Sequence, residues 1–373
     1  MANNRIYYAI QQVNLGYNSP VAVHGLQTVG ITTNFNLEQV FELGQLAIYQ
    51  NVEGIPDIEV TLNKVLDGYP LIYTLATEKG TGINSGAAEL KASSPTLSGR
   101  QNARTDMYLS IYSDQSDSAT GTPVSAVVCS GMYVSSVSYT FPVDGNFTED
   151  VTLVGNDKVW SATISGAFAS NNDAPDSKEG VNRRQHLNML NCRFPNQIPG
   201  IANGQNLSVG NGSGYAAHFQ NITVSTDLGR ESINELGTFA PYHRYVTFPV
   251  EVTSEFEVLA VKGDEISATE DGYYTATSIA DAAAGSYTVA LTDASGCDVR
   301  FNLIDNLIYL ETCEGTKIYL GNKNKLSSVN YSGGDTGGGN ATVSYSFTNF
   351  NDFVVAHSGG LYYDNVSANG YSG

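Results

Sequence analysis

The chain has 373 residues and a formal net charge of −19, from 37 acidic and 18 basic residues. Its length suffices for two or three domains with separate cores. The low charged fraction of 15%, with 38 Gly and 23 Tyr, is typical of a β-rich globular protein and not of a disordered one. The acidic balance excludes attraction to nucleic acid or to an anionic membrane.

The chain repeats part of its own sequence at an offset of about 193 residues. For example, the motif SSVSY at Ser135–Tyr139 is matched by SSVNY at Ser327–Tyr331. These ordered identities predict an internal duplication, with a first domain over residues 1–175, a linker at 171–180 and a second domain over 181–373. The repeated positions are Glu42, Leu43, Gly44, Tyr49 and Pro56 in the first copy, and Glu235, Leu236, Gly237, Tyr242 and Pro249 in the second.

Each copy begins with a predicted strand followed by a predicted short helix. Apolar residues alternate from Val29 to Phe35, which is the period of a half-buried strand. Apolar residues at helical spacing between Leu37 and Phe41 precede Gly44, a residue that often ends helices. The second copy repeats this order and ends its predicted helix at Gly237.

A second strand follows the repeated proline of each copy. Its apolar residues, from Ile58 to Leu62 and from Val250 to Val258, occupy one face. The sequence therefore predicts a mainly β protein with two tandem, related β-sandwich or rolled-sheet domains, each with a short helix. The opposite, solvent-facing side carries Glu59 in the first copy and Glu251, Glu255 and Glu257 in the second.

Motifs for catalysis or cofactor binding are missing from the sequence. The glycine runs at Gly210 and Gly333 lack the residues of a nucleophile elbow or a phosphate-binding loop. Carboxylate pairs such as Glu149 and Asp150 are predicted to be solvated in polar loops, with weak calcium binding as the alternative. We expect no cofactor, no metal and no enzymatic activity. The histidines, which do not form HExxH, are His24, His186, His218, His243 and His357.

Cysteine spacing and hydropathy indicate the cellular compartment of the protein. The widely separated Cys129, Cys192, Cys297 and Cys313 contain no CxxC pair, so we expect buried free thiols and not a zinc site. No run of about 18 apolar residues occurs, and the first residues lack a secretory pattern. We expect a protein that does not insert into membranes and stays soluble in the cytoplasm where it is made.

Two segments resemble tail tube proteins of bacteriophages. They are Thr32–Tyr73, with ELG, Tyr and Pro, and Ile222–Thr253, with ELG, Tyr and FPVEVT. Arg183–Gly200 is similar to virion proteins of large phages. The resemblance covers about half of the chain, and its motifs are less specific than a catalytic signature.

The resemblance implies a virion structural protein that forms stacked rings around a conduit for DNA and is assembled in the host cytoplasm. Tube proteins with two domains per chain close such rings with three subunits, so the expected partners are copies of the chain itself, with sheath or other tail proteins. The four predicted outward glutamates become candidate lumen residues, because acidic walls let DNA pass without sticking. A baseplate hub, a connector, and a surface decoration or adhesin module are the alternatives; the many tyrosines favour an interface over carbohydrate stacking.

Overall fold

In a computed structural model of the chain, the described residues are 5–16, 20–77, 88–90, 103–113, 123–161, 180–206, 214–238, 241–261, 274–275, 288–289, 305–333 and 339–357. The protein is mainly β, as predicted. Its first strands are β1 (Gln11–Leu15), β2 (Val21–Ala22), β3 (Leu26–Asn34), β4 (Leu37–Phe41), β5 (Ile48–Glu53), β6 (Asp57–Val65), β7 (Ala88–Leu90), β8 (Thr105–Ile111), β9 (Ser125–Pro142), β10 (Thr148–Gly155) and β11 (Asp157–Ser161).

The later strands are β12 (Ile201–Ala202), β13 (Gln205–Asn206), β14 (Phe219–Asp227), β15 (Arg230–Ile233), β16 (His243–Val246), β17 (Glu251–Leu259), β18 (Tyr274–Thr275), β19 (Thr288–Val289), β20 (Tyr309–Glu311), β21 (Thr316–Tyr319), β22 (Lys325–Ser332), β23 (Thr342–Phe350) and β24 (Phe353–His357). The α-helix within the described residues is α1 (Ile72–Ala76), and 3₁₀ turns lie at Tyr8–Ile10 and Arg184–His186.

Eight antiparallel strands form one continuous sheet in the order β3-β6-β10-β9-β14-β17-β23-β22. We call β3, β6, β10 and the later part of β9 the first half of the sheet, and β14, β17, β23 and β22 the second half. The earlier part of β9 pairs instead with β8 and β11, and β8 continues the sheet to β1 and β2.

The two halves have the same strand order and the same pairing register. The β3–β6 and β14–β17 ladders each run over nine-residue strands and are interrupted at the same place, after Leu26 and after Phe219. The ladders of β10 with β9 and of β23 with β22 skip one residue each, Ser135 and Ser327. Duplication as the origin of the halves stays a prediction. So do the predicted domain limits, and the predicted linker at 171–180 lies outside the described residues except for Gly180.

The predicted helices before Gly44 and Gly237 are wrong. Residues 37–41 and 230–233 are strands, β4 and β15, which form hairpins with β5 and β16. Every residue of β4 and β5 is exposed, so no buried face exists to select a helical period. Branched and aromatic residues then favour the strand, and Gly44 belongs to the turn between β4 and β5.

The core lies on one face of the eight-stranded sheet. Above the first half, Tyr73 of α1 and Tyr139 of β9 each contact the ring of Phe353, with centroids 5.6 and 6.4 Å apart. Above the second half, Phe194 packs on Phe219 with centroids 4.6 Å apart. These side chains belong to one hydrophobic cluster that spans both halves, so the halves share a core.

Glu149 of β10 holds the start of α1 inside this core. Its fully buried carboxylate accepts hydrogen bonds from the Ile72 N–H at 2.6 Å, the Tyr73 N–H at 3.0 Å and the Tyr139 hydroxyl at 2.8 Å. Burial raises the pKa of Glu149, and these three hydrogen bonds and the nearby Lys64 oppose the rise. The prediction of a solvated loop is therefore wrong for Glu149, because β10 turns this side chain to the core and Asp150 to the solvent.

Replacing Glu149 by Gln should lower the free energy of unfolding by about 1–3 kcal/mol, since an amide NH₂ group would face a backbone N–H of α1 and leave it unsatisfied. The measurement is urea denaturation followed by circular dichroism. Asp150→Asn is the matched control on the solvent side of the same strand, with an expected change within about 0.5 kcal/mol. Equal effects of the two substitutions would contradict the role given to Glu149.

Candidate functional site

The solvent side of the eight-stranded sheet is a continuous polar surface, which we call the polar face. It is formed by alternate residues of every strand, which lie opposite the core residues. Its side chains are mainly hydroxyls, amides and carboxylates. They are Thr28, Thr32 and Asn34 of β3; Asp57, Glu59, Thr61 and Asn63 of β6; Asp150 and Thr152 of β10; Ser136, Ser138 and Thr140 of β9; Thr223, Ser225 and Asp227 of β14; Glu251, Thr253, Glu255 and Glu257 of β17; Ser344, Ser346 and Thr348 of β23; and Ser328, Asn330 and Ser332 of β22.

The pairing register of the strands makes the polar face continuous across both halves of the sheet. One row of directly opposed residues crosses six strands, and short hydrogen bonds join other neighbours on the polar face. The Asn63 amide donates to Asp150 at 2.6 Å, and the Ser225 and Thr253 hydroxyls are 2.8 Å apart. The row consists of Thr148, Thr140, Thr223, Glu255, Ser346 and Ser328.

The four predicted lumen residues all lie on the polar face. Glu59, Glu251 and Glu255 are exposed, and Glu257 is half-buried. Glu255 and Glu257 are close on β17, whereas Glu59 lies four strands away, at a distance of roughly 19 Å across the sheet. Whether the polar face lines a channel stays a prediction.

Sequence reasoning missed three further carboxylates of the same face, Asp57, Asp150 and Asp227. The alternation of FTEDVTLV contained the signal for Asp150, since Glu149 and Val151 bracket it with buried side chains. Among the described residues of the polar-face strands, Lys325 is the basic side chain that lies near the face, and it is paired with Asp305 at 2.6 Å. The polar face therefore carries a large excess of negative charge.

Two arginines of the second half hold the junction between the halves. Arg230 donates from Nε to the Val134 carbonyl at 2.6 Å and lies over the Tyr133 ring, 5.5 Å from its centroid. Burial lowers the pKa of Arg230 to about 10, so it remains protonated at neutral pH. Arg244 forms an ion pair with Asp57 of the first half at 2.7 Å and also binds the Asn156 amide oxygen at 3.1 Å.

A cavity of about 700 Å³ lies between the bases of the two hairpins. Phe35 and Pro56 line it from the first half and Tyr242 from the second, with Lys158 and Arg244 at its wall. Lys158 donates to the Thr33 hydroxyl at 2.5 Å, and Arg244 is held by Asp57. The Arg244–Asp57 ion pair at this cavity joins the two halves, whereas the Lys158–Thr33 hydrogen bond lies on the side of the first half. Within the described residues, no group of three or more His, Cys, Asp or Glu side chains could hold a metal ion.

The repeated sequence motif forms the tips and bases of the two hairpins. Leu43 and Leu236 are fully exposed at the tips. Gly44 and Gly237 follow them with φ of 95° and 88°, a backbone region that favours glycine. Glu42 and Glu235 precede the tip leucines, Tyr49 and Tyr242 are equally exposed at 64%, and Pro56 and Pro249 lie just before β6 and β17.

Apolar side chains make the first hairpin an unusual surface element. Isolated exposed apolar residues are common, but a contiguous set marks a contact surface. The exposed apolar residues on and beside this hairpin are Phe35, Leu37, Val40, Phe41, Leu43, Leu46, Ile48, Tyr49 and Val52.

Three cysteines lie within the described residues. Cys129 and Cys192 are buried free thiols, and burial raises their pKa to about 11 and about 12. Cys313 is exposed, so the prediction of a buried thiol is wrong there, because it follows the end of β20 in a turn. Cys297 lies outside the described residues.

The described part of the chain also contains no helix of the length and apolarity that a bilayer crossing requires.

No protein-family model matches the chain, and no curated protein matches it. Among solved structures, it is similar to the sheath/tube terminator of an extracellular contractile injection system (PVC) in the extended state, with a TM-score of 0.31 and 13% identity over 43% of this chain and 100% of that one. The sheath-tube complex of the same system gives a TM-score of 0.29 and 15% identity, over 43% of this chain and 95% of that one. The tube terminating cap of the anti-feeding prophage gives 0.31 and 14%, over 44% and 95%. Scores at this level do not define a shared overall fold.

Reversing the charge of Glu59, Glu251, Glu255 and Glu257 to Lys should leave the unfolding midpoint nearly unchanged, because these side chains point away from the core. The variant should retain double-stranded DNA in a filter-binding assay at low salt, with retention that falls steeply as salt rises. The unmodified chain should not retain DNA.

A control variant reverses the hairpin carboxylates Glu38, Glu42, Glu53 and Glu235 and so has the same net charge. It should bind DNA more weakly than the polar-face variant, because its lysines do not share one surface. Equal retention by both variants would mean that net charge alone, and not the polar face, governs contact with DNA.

Proposed function

We propose that the chain is a structural subunit of a phage tail or related particle, and that it forms the tube through which DNA passes. The observation that carries the proposal is the eight-stranded sheet, with a polar, acidic face on one side and the core on the other. A head-to-tail ring of such sheets would have its polar faces directed inwards. The subunit would be assembled in the host cytoplasm and would end up in the tail of the virion.

The chemistry of the polar face suits a conduit. Carboxylates repel the phosphates of DNA, and hydroxyls and amides keep the wall hydrated without offering cations to the backbone. Seven carboxylates lie on this face, and they are distributed over both halves. DNA would slide along such a wall, because no side chain would bind it at a fixed position.

Edge geometry supports a closed ring. Within the described residues, β3 pairs with β6 alone and β22 pairs with β23 alone, so both ends of the eight-stranded sheet are open. Open edges are aggregation sites unless they are paired or covered. Three chains would supply a barrel of about 24 strands with a backbone diameter of roughly 45–50 Å, which leaves room for a DNA duplex.

The hairpins suit contacts between stacked rings. The first hairpin is exposed along its whole length and the second near its tip, and both end in a fully exposed leucine. Insertion of these leucines into an adjacent ring would bury them. A hub or connector ring would use the same sheet but would not need to stack on copies of itself, so stacking distinguishes these alternatives from the tube.

The purified chain should form a ring of three subunits, because each chain supplies two of six related sheet units. Native mass spectrometry gives the stoichiometry, and cryo-electron microscopy gives the symmetry. A ring of six chains would contradict the 24-stranded barrel. A stable monomer at all concentrations would contradict the tube function.

Replacing Leu43 and Leu236 together by Asp should abolish stacking and leave single rings, because charged tips cannot enter an apolar contact. Negative-stain microscopy counts rings and tubes directly. Leu190→Asp is the control, since Leu190 is exposed but lies outside the hairpins. Tubes of normal length in the double variant would exclude the hairpin tips from the stacking contact.

A further inference from the structure

The free edges β3 and β22 correspond to two strands that are already paired inside the chain. β3 corresponds to β14, and β22 corresponds to the later part of β9, by length, bulge position and register. At the junction of the halves, β9 and β14 pair antiparallel through the same two edges that β22 and β3 leave open. The chain therefore contains one example of the contact that its two ends could make with other copies.

Core-facing residues are more buried on the strands that are paired inside the chain than on the corresponding open edge strands. On β14, Ile222 and Val224 are 1% and 0% exposed, whereas their counterparts on β3, Val29 and Ile31, are only half-buried. The strand β3 has the apolar side chains for a neighbour on its outer edge.

On the other open edge, β22, the core-facing residues are also less buried than their counterparts on β9. Tyr139 on β9 is 0% exposed and its counterpart Tyr331 on β22 is 57% exposed. Val137 is 2% exposed, and its counterpart Val329 is half-buried. Each edge thus exposes the residues that the internal junction buries.

We propose that β22 of one chain pairs antiparallel with β3 of a second copy, in the register of the internal β9–β14 junction. This inference rests on the proposed function and deepens it, because it specifies the residues that close the ring. In the internal register, Ser138 faces Ser225 and Ser136 faces Asp227. The same register places Asn330 opposite Thr32 of the next chain and Ser328 opposite Asn34.

This register continues the polar face across the subunit boundary. Thr32, Asn34, Ser328 and Asn330 are exposed and lie on the polar face of their own chain. Because β6 fixes the orientation of β3, a slip of one residue would set Val29 and Ile31 opposite polar-face residues of the neighbouring β22 and interrupt both faces, so the burial pattern favours the proposed register. The occupant of each edge is therefore a second copy of the same chain.

Engineered cysteine pairs test the register. Asn34→Cys with Ser328→Cys should form a disulfide between neighbours after oxidation with copper phenanthroline, since directly opposed Cβ atoms lie about 4.5–5.5 Å apart. Thr32→Cys with Asn330→Cys is a second in-register pair. Cys297 and Cys313 are replaced by Ser in every variant. Non-reducing electrophoresis should show a covalent trimer for both pairs.

Asn34→Cys with Ser332→Cys is the matched control, because it has the same chemistry on the same strands but is four residues out of register, roughly 13 Å. It should stay monomeric on the gel. Rings whose control pair cross-links, or whose in-register pairs do not, would overturn the register and leave the ring function intact. A cryo-electron microscopy map of the unmodified ring gives the register independently. A chain that forms neither rings nor oligomers would overturn both the proposed register and the proposed function.

Discussion

The antiparallel ladder between β9 and β14 is the interaction on which the rest of the molecule depends. It joins residues 136–142 to residues 221–227 and makes one sheet from two four-stranded halves. The shared hydrophobic core and the continuous polar face both follow from this ladder, since separate sheets would have turned their faces independently. The ladder also leaves the outer edges of the halves, β3 and β22, at opposite ends of the sheet. A subunit with complementary edges at opposite ends is suited to head-to-tail association.

Equal registers in the two halves support different chemistry in the core. Lys64 and Glu149 are directly opposed across β6 and β10, and the equivalent positions of β17 and β23 carry Val258 and Val343. In the first half, Glu149 accepts the N–H groups that begin α1, and Lys64 pairs with Asp67 and donates to the His24 carbonyl. Buried charges are tolerated where they are paired, and the second half has uncharged valines at both positions. The halves thus share a framework and differ in what that framework supports.

Period-two alternation made the strands, the core face and the outward position of Glu59 and Glu255 predictable from the sequence. Two features lacked such a signal. The hairpin β4–β5 has no buried face, so the spacing of its apolar residues carries no information about its backbone. The β9–β14 contact joins strands about 85 residues apart, and local pattern does not specify which distant edges pair. Glu149 was missed for the same reason, since its partners on α1 come from 76 or 77 residues earlier.

The internal junction differs from the proposed junction between chains at both arginines, since the position equivalent to Arg230 is Leu37. Arg244 of the second half binds Asp57 and Asn156 of the first, and the positions equivalent to Arg244 and Asp57 are Asn51 and Glu251. An ion pair with a half-exposed carboxylate contributes about 1 kcal/mol or less, so its main effect is on register and not on stability. Because the linked halves also meet at a far higher effective concentration than separate chains do, the internal ladder would form first and in one register. Each chain would then present two defined edges, and a ring would close from subunits whose inner junction is already set.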